Sequence, residues 1–399
     1  MKARRPRRLG KPSAREVDDI GSSIVGASNA VSVTVTSEPN AQLLEAWDAL
    51  VRATEGSDVS QLSAWARTRS AVGFASTYLL AFEEDTLVAG AQVLHRRVPA
   101  VGRFGYVSYG PVIGAGTQNH AAICGALSDA LHELSTRTLR ALFVQPPDNA
   151  GEMTEELLSR GFRNSDAGVA PPATLRLDLT LPEAELRRGL SRRLRRWTNH
   201  WEQRGVRVRG GDERDIPMLA RLMESSAGHQ GYDPLPVDYL LTLWRSLAPA
   251  GHVQLFVGEV NGAPVVASLF TVCGRSVRYR LTGLDRSSEA SNLSVPAAVV
   301  WHAALWSKRT GHHWFDFGGI GETALHDLLA DRSPDETTWR STDTFKARFG
   351  GRPHVYPTAV ERIGPWWLRT LYDASRHSPH GRALLAHARQ LLRTGRGAR

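Results

Sequence analysis

The stretch "VQLFVGEVNGAPVVASLFTVCGR", residues 253–275, consists of an apolar strand, a polar turn and a second apolar strand. Asn261 and Gly262 at its centre are a residue pair favoured by two-residue hairpin turns, in which both central residues need positive φ angles. A second stretch of the same form, "TYLLAFEEDTLVAGAQVLHRR", covers residues 77–97. Two such hairpins in a chain of 399 residues indicate that one structural unit occurs twice.

The elements that follow the two hairpins repeat in the same order. Each hairpin is followed by another strand, a helical segment that begins near an asparagine, and a strand of buried type. Between Gly110 and Gly283 the interval is 173 residues. The same interval separates Asn119 from Asn292. We therefore predict an α/β (α+β) chain of two tandem GNAT-like acyltransferase domains, each a mixed sheet flanked by helices.

The pattern also predicts how the chain is divided. Residues 1–35 are polar and poor in aromatic residues, which predicts a disordered basic N-terminus. We assign residues 36–176 to the first domain and residues 177–356 to the second. The segment 357–399 has a helical pattern, and we assign it to the first domain because of the family resemblance described below.

Charge and cysteine content limit the classes of partner. The chain has 49 Lys and Arg against 40 Asp and Glu, a net charge of +9, which favours nucleic acid, a phosphate-bearing substrate or a membrane surface. A GC-rich genome, which encodes Arg and Ala freely, explains the same excess, so both interpretations stay open. The apolar run 295–306 is too short to cross a bilayer.

Cys124 and Cys273 lie in apolar segments, which predicts buried thiols in a reducing cytoplasm. We predict a cytoplasmic protein with no metal and no cofactor.

Several motifs, in a fixed order, resemble one known family. They are "QLSAWARTR" (61–69), "SYGPVI" (108–113), "LRLDLTLPEAEL" (175–186), "RGVRV" (204–208), the run from Tyr279 to Ile320, and "TFKARFGG" (344–351). Together they are similar to the FemAB-like aminoacyltransferases, which carry two GNAT-type domains in tandem. The resemblance covers residues 61–356. It implies that an aminoacyl group moves from aminoacyl-tRNA to an amine, in a cell-wall peptide precursor or in a specialised metabolite or peptide.

The resemblance also assigns roles to individual residues. Lys346 would stabilise charge on the donor or the oxyanion, with a solvated lysine at a strand end as the alternative, and Phe345 would form the neighbouring wall. Asp316 would orient or deprotonate the amine, or else cap a turn. Two other residues would contact the acceptor: Tyr279, for which core packing is the alternative, and Arg69, for which an exposed helix position is the alternative.

A helix predicted over residues 183–204 carries four arginines away from its Leu/Trp stripe: Arg188, Arg192, Arg195 and Arg196. Such a face suits the phosphates of tRNA, although a run of charges also occurs on ordinary solvated surfaces. The basic C-terminal helices offer another anionic contact, with a membrane surface.

Two motifs depart from the cell-wall members of the family. The chain has "HQGY", with His229 and Tyr232, in place of Arg-x-Gly-aromatic, and Tyr109-Gly110-Pro111 in place of Arg-Gly-Pro. By resemblance both motifs lie near the acceptor, so His229, Tyr232 and Tyr109 are candidate acceptor contacts. These departures weigh against a nucleotide-linked acceptor.

Two rival functions remain. An acyl-CoA N-acyltransferase would carry a pyrophosphate loop of the form Gln/Arg-x-x-Gly-x-Gly/Ala, and the sequence has no complete copy. A non-catalytic RNA- or membrane-binding protein would not need Lys346 or the "FDFGG" strand end, both of which are present.

Overall fold

The computed structural model describes residues 23–28, 31–99, 101–148, 150–198, 200–230, 233–285, 293–381, 383 and 385. The strands are β1 (Ser23–Ser28), β2 (Val31–Thr36), β3 (Ala75–Glu83), β4 (Thr86–Val98), β5 (Gly102–Ser108), β6 (Val112–Ile113), β7 (Ala141–Gln145), β8 (Arg163–Asn164), β9 (Ala173–Asp178), β10 (Val206–Gly211), β11 (Val253–Val260), β12 (Ala263–Cys273), β13 (Ser276–Leu284), β14 (Trp314–Gly319), β15 (Arg352–Val355) and β16 (Val360–Ile363). The helices are α1 (Ala41–Ala53), α2 (Ser63–Ser70), α3 (His120–Arg137), α4 (Gly151–Ser159), α5 (Glu183–Gly189), α6 (Arg192–Trp197), α7 (Ile216–Gln230), α8 (Val237–Leu247), α9 (Val295–Arg309), α10 (Glu322–Leu329), α11 (Ser341–Ala347) and α12 (Trp366–His377).

The strands form two mixed sheets of the same design. The first has the order β1-β2-β3-β4-β5-β7-β16-β8, with β6 beside β4, and the second has the order β10-β11-β12-β13-β14-β9-β15. In each sheet the strand after the hairpin runs parallel to the strand after the helix: β5 to β7, and β13 to β14. The predicted duplication and fold class are confirmed.

The turn of the second hairpin has the predicted chemistry. Asn261 and Gly262, between β11 and β12, have φ angles of 51° and 83°. Neither angle suits a residue with a branched side chain, because its Cβ would collide with the backbone. The local sequence thus fixes the register of the hairpin formed by β11 and β12.

Each sheet takes in a strand that is distant in sequence from the strands beside it. The first sheet takes in β16 between β7 and β8, and the second takes in β9 between β14 and β15. Strand β9 crosses the predicted domain boundary at 176/177. The predicted boundaries between the segments stay a prediction.

Three local predictions were wrong. Part of the segment 1–35 forms β1 and most of β2, because the alternating valines of "VSVTV" pair with β3 and bury one face. The segment that holds Lys346 is helix α11, not a strand end. The helix predicted over 183–204 is broken after Gly189, where Leu190 turns to extended backbone and Ser191 caps a second helix, α6.

The two halves share one apolar core. Trp47 and Leu62 from the first half lie in the same cluster as Leu240 and Leu255 from the second. The indole nitrogen of Trp47 donates a hydrogen bond to the carbonyl of Gln61 at 2.7 Å. Because this core is continuous, the cleft beside it has walls that come from both halves.

Candidate active site

Two adjoining cavities open where the halves meet. The smaller has a volume of about 130 Å³ and the larger about 230 Å³. Tyr109, Pro171 and Arg280 line both, so the cavities form one cleft, in which β5 and α2 face β13 and β14. Of the predicted site residues, Arg69, Tyr109, Tyr279 and Asp316 line this cleft.

A buried glutamine fixes the floor of the cleft. The Gln61 side chain donates to the Ser108 carbonyl at 2.8 Å and accepts from the backbone N–H of Gln92 at the same distance. These bonds tie the turn before α2 to the middle of β4 and the end of β5. The turn at Tyr109 is therefore held against the helix that carries Arg69.

Two guanidinium groups line the larger cavity. Arg69 on α2 is only 6% exposed; it donates to the Tyr239 hydroxyl at 3.2 Å, and its Cζ lies 4.6 Å from the Phe74 ring centre. The alternative of an exposed helix arginine is therefore wrong. Arg280 on β13 stacks over Trp65 at 4.7 Å. Two fixed cations in one cavity favour an anionic ligand group.

The smaller cavity is bounded by a buried ion network centred on Arg278. One of its terminal nitrogens donates to Asp58 Oδ2 at 2.8 Å and the other to Asp316 Oδ2 at 2.9 Å. Asp316 is fully buried, and it also accepts from the Thr174 hydroxyl at 2.5 Å and from the Gly318 N–H at 2.7 Å. Asp58 belongs to the first half and Asp316 to the second, so Arg278 links the two walls of the cleft.

The electrostatics of Asp316 limit its chemistry. Burial raises the pKa of this carboxyl, but the neighbouring Arg278 and Arg176 outweigh burial and hold the pKa below its usual range. The same balance, with Arg278 and Arg280 as the cations, lowers the pKa of Asp58. A carboxylate held this way is a weak proton acceptor. The arrangement favours a positioning role for Asp316 over that of general base.

The network continues behind Asp316. Arg176 donates to Asp148 Oδ2 at 2.5 Å and to the Tyr356 hydroxyl at 2.8 Å. His354 lies 2.8 Å from the other oxygen of Asp148. Burial raises the pKa of Asp148, but His354 and Arg176 together lower it to about 2. These contacts join β9, β15 and the loop after β7 into one rigid wall.

Aromatic rings complete the cleft. The Tyr109 ring centre lies 4.7 Å from that of Tyr356 and 4.5 Å from Cζ of Arg278. The Tyr109 hydroxyl donates to the Pro171 carbonyl at 3.2 Å. Tyr279 lines the smaller cavity and stacks on Phe270 at 5.3 Å, so core packing applies to one side of its ring and the acceptor contact stays a prediction.

Lys346 lies behind one wall of the smaller cavity. Its Nζ donates to the Gly319 carbonyl at 2.6 Å. Gly318 and Gly319 line the cavity, and Lys346 is not one of its nine lining residues. Burial lowers the pKa of Lys346, while Asp343 and Asp316 act against the shift. The two glycines bring no side chain between this cation and the cavity.

Phe345, predicted as a wall of the donor site, packs against the apolar core of the second half. Its ring meets that of Phe349 edge-on, with centres 5.3 Å apart. Tyr232 and the side chain of His229 lie outside the described residues.

The four arginines predicted for tRNA lie on exposed surface beside α11. Arg188, Arg192, Arg195 and Arg196 are exposed. The break between α5 and α6 rests on the end of α11, since the N–H of Ser191 donates to the Arg348 carbonyl at 2.8 Å. The arginines thus lie beside the helix of Lys346, although they do not share one helix face.

Gly350 sets the distance between these two segments. Its φ is 78°, and a β-carbon there would lie 2.4 Å from the Gly189 carbonyl oxygen. We expect Gly350→Ala to lower the free energy of unfolding by roughly 1–3 kcal/mol more than Gly311→Ala. Gly311 has φ 82° with nothing within 4 Å of an added β-carbon, so it reports backbone strain alone. Urea unfolding measures both variants, and equal losses would contradict the close contact.

Sequence reasoning missed Arg278, Arg280 and Asp58. The spacing of the two arginines could have indicated that they act together, because they are two residues apart on a strand and side chains at i and i+2 share a face. Asp58 gave no such signal, because it pairs with Arg278 only through the contact between the halves.

One group of side chains in the described part of the chain has the ligand types and spacing to hold a metal. It consists of His120, Cys124 and Glu152, on α3 and α4, and it shares no residue with the cleft. Burial, followed by Glu152 and Glu156, raises the pKa of the Cys124 thiol to about 11, which opposes the thiolate that a metal requires. Cys124 and Cys273 are buried and free, as predicted.

The sequence of this chain is similar to one family of domains and to several known proteins. Residues 184–326 match the model of the family "Acetyltransferase (GNAT) domain". A Lipid II:glycine glycyltransferase from Staphylococcus saprophyticus is 25% identical over 236 residues, 56% of each chain. The Staphylococcus aureus protein of that name is 22% identical over 233 residues, 56% of this chain and 55% of the relative. The chain therefore aligns with about half the length of the curated relatives it matches.

The fold comparison extends further than the sequence match. The crystal structure of FemX superposes with a TM-score of 0.71 at 16% identity, covering 84% of this chain and 99% of that chain. Within the described part of the chain, no helix combines the length and apolar character needed to cross a bilayer.

Proposed function

We propose, from the premise that this chain is a FemAB-like protein built of two GNAT-type domains, that it transfers an aminoacyl group from aminoacyl-tRNA to an amine. The observation that carries the proposal is the position of Lys346, behind the glycine wall of a cleft that both halves form. The relatives' printed name, Lipid II:glycine glycyltransferase, supports an amide-forming transfer and a cell-wall acceptor. Use of aminoacyl-tRNA would place the reaction in the cytoplasm.

The reaction needs charge stabilisation more than acid–base strength. The neutral amine attacks the ester carbonyl carbon and forms a tetrahedral oxyanion, which collapses to an amide. The ribose oxygen of the tRNA leaves and takes the proton that the amine loses. Lys346 holds a positive charge beside the cavity through the Gly319 carbonyl, where it favours the oxyanion or the terminal phosphates.

The larger cavity suits the acceptor. Arg69 and Arg280 line it, and Asp58 stands 4.0 Å from Arg280. A carboxylate or phosphate of the acceptor would bind the two guanidiniums, and its amine would point toward the smaller cavity. A peptide with a free amine and an acidic group has this chemistry, whether it belongs to a cell-wall precursor or to a specialised metabolite.

Transfer of a radiolabelled amino acid tests the proposed function. The purified protein is incubated with a pool of labelled aminoacyl-tRNAs and a small-molecule extract, in parallel with labelled acetyl-CoA. We expect label to leave one aminoacyl-tRNA and appear in a new amide. Transfer from acetyl-CoA alone would replace this proposal with that of an acyl-CoA N-acyltransferase.

The exposed arginines should control how the tRNA donor binds. In the triple variant Arg192→Ser, Arg195→Ser, Arg196→Ser we expect the slope of log affinity against log salt to fall by about 2 units. The expected reason is the loss of phosphate contacts beside α11. Filter binding of aminoacyl-tRNA at several salt concentrations measures the slope.

A matched triple variant separates local contact from net charge. Arg137, Arg214 and Arg245 have side chains 77%, 91% and 63% exposed on other surfaces. Their replacement by serine removes the same charge and should leave the slope nearly unchanged. Equal losses in both variants would show that total charge alone attracts the tRNA.

A further inference from the structure

Helix α12 carries an exposed apolar face. Of the eight large apolar side chains that are exposed in the described part of the chain, three belong to this single helix. Trp366 is 78% exposed, Trp367 46% and Leu371 59%. Trp367 and Leu371 are one helical turn apart, and Ala374, which is also exposed, continues the same stripe.

The opposite face of α12 is anchored, so the apolar stripe has a fixed direction. Leu368 is buried against Ala141 and Ile363 of the first sheet. Asp373 accepts hydrogen bonds from both terminal nitrogens of Arg163. With one face fixed by packing and ion pairs, the stripe of Trp367 and Leu371 points away from the protein.

Arginines are frequent in the sequence near this stripe. Arg369 lies within α12, and the sequence that follows the helix, residues 378–399, has five arginines and no Asp or Glu. Tryptophan has an apolar ring with a polar N–H and is favoured at the boundary between lipid and water. An apolar stripe containing tryptophan, flanked by cations, has the composition of a helix that lies on an anionic bilayer.

We propose that α12 docks this protein on the surface of a membrane that contains anionic lipid. Trp366, Trp367 and Leu371 enter the boundary between headgroups and acyl chains, and the arginines contact lipid phosphates. A second copy of the chain fits the stripe less well, because each copy carries a net charge of +9 and the two would repel. Three side chains also fall well short of the roughly 800 Å² that each partner buries in a stable interface.

The docking helix lies close to the chain segment that lines the cleft. Arg376, near the end of α12, pairs with Asp166, and Val169, Ala170 and Pro171 line the cleft a few residues further on. A membrane bound to α12 would therefore lie near one edge of the cleft. This consequence rests on the proposed function, whereas membrane binding itself does not.

Vesicle sedimentation of the full-length protein tests the docking. The vesicles are phosphatidylcholine alone, or phosphatidylcholine with about 30% phosphatidylglycerol. We expect binding to the anionic vesicles that weakens as salt rises, and little binding to neutral ones. The variant Trp366→Ser, Trp367→Ser, Leu371→Ser should bind at least about tenfold more weakly, because its apolar insertion is lost.

A control variant removes apolar surface elsewhere. Leu329 and Val355 are 60% and 50% exposed, and Leu329→Ser with Val355→Ser should bind vesicles like the wild type. Thermal unfolding checks that both variants stay folded. Binding that the α12 variant retains, or equal binding to neutral and anionic vesicles, would overturn the proposal.

Light scattering tests the alternative that a second copy of the chain covers the α12 stripe. A wild-type dimer that the α12 variant converts to a monomer, with no vesicle binding by either protein, would show that the stripe is a self-association surface and would also overturn the proposal. Amino-acid transfer to a water-soluble acceptor should be unchanged in the α12 variant. Failure of vesicle binding with transfer intact is thus distinguishable from failure of the proposed function.

Discussion

Lys346→Ala should reduce the rate of aminoacyl transfer by roughly 10²–10³-fold while the protein stays folded. The lysine places a positive charge behind Gly318 and Gly319, where the proposed mechanism develops negative charge, and alanine removes it. The fold should persist, because the side chain contributes one hydrogen bond, to a backbone carbonyl, worth about 1 kcal/mol. Single-turnover transfer from labelled aminoacyl-tRNA measures the rate, and circular dichroism checks the fold.

Lys308 provides the matched control for this prediction. Its Nζ also donates to backbone carbonyls of the second half, those of Leu179 at 2.8 Å and Leu181 at 2.7 Å. It lines neither cavity, so Lys308→Ala should affect stability and leave transfer nearly unchanged. Wild-type turnover by Lys346→Ala would show that the lysine is not needed for transfer. An equal loss of transfer in both variants would mean that the effect is structural.

Arg278→Leu should lower the free energy of unfolding at neutral pH by about 3–5 kcal/mol. The substitution leaves Asp58 and Asp316 buried without the guanidinium that joins them. Arg176 at 3.7 Å from Asp316 and Arg280 at 4.0 Å from Asp58 remain, but the hydrogen-bonded cationic partner of each buried carboxylate is lost. Urea unfolding measures the loss, and transfer should fall as well because the two walls of the cleft separate.

The decrease in the free energy of unfolding caused by Arg278→Leu should depend on pH. In the wild type the pKa values of Asp58 and Asp316 are depressed, so their stabilisation is present above the unfolded pKa, about 3.9, and disappears as pH falls through the folded values. In the variant burial acts with less opposition and raises both pKa values. Protonation then relieves the buried charge as pH falls, and the stability gap between the two proteins should narrow toward pH 4.

Arg209 is a surface counterpart of Arg278. It also pairs with two carboxylates, Asp215 at 2.8 Å and Glu259 at 2.7 Å, but its side chain is 40% exposed. Arg209→Leu should cost only about 1 kcal/mol, with little pH dependence between pH 7 and 5. A loss in Arg278→Leu no larger than this would contradict the role of burial in the network.

The ion network argues against a proton-accepting role for Asp316, one of the roles that its sequence position allows. The motif "FDFGG" marks a strand end beside two glycines, and that position alone allows a proton acceptor or a turn cap. The structure surrounds the carboxylate with Arg278 and Arg176, which keep it ionised. Its chemistry is set by partners that are 38 and 140 residues away in the chain.

Much of the fold could be predicted from local patterns. The hairpin turn at Asn261 and Gly262, the period-two strands and the intervals between matching landmarks are properties of short segments, and they predicted the duplicated α/β module. Motif order predicted the relationship to FemAB-like proteins. Local patterns failed where neighbouring preferences compete, as at Leu190 and Ser191, where a cap interrupts a helical stripe.

The sequence by itself thus determined the two repeated modules, their turn chemistry and the candidate residues that the motifs carry. Only the tertiary structure decided which of those residues meet: Arg69 with Tyr239, Arg278 with Asp58 and Asp316, and Lys346 with the Gly319 carbonyl. The physical reason is range. Turn and strand preferences act between residues close in sequence, whereas burial, charge pairing and pKa values depend on atoms that come together only when distant segments pack.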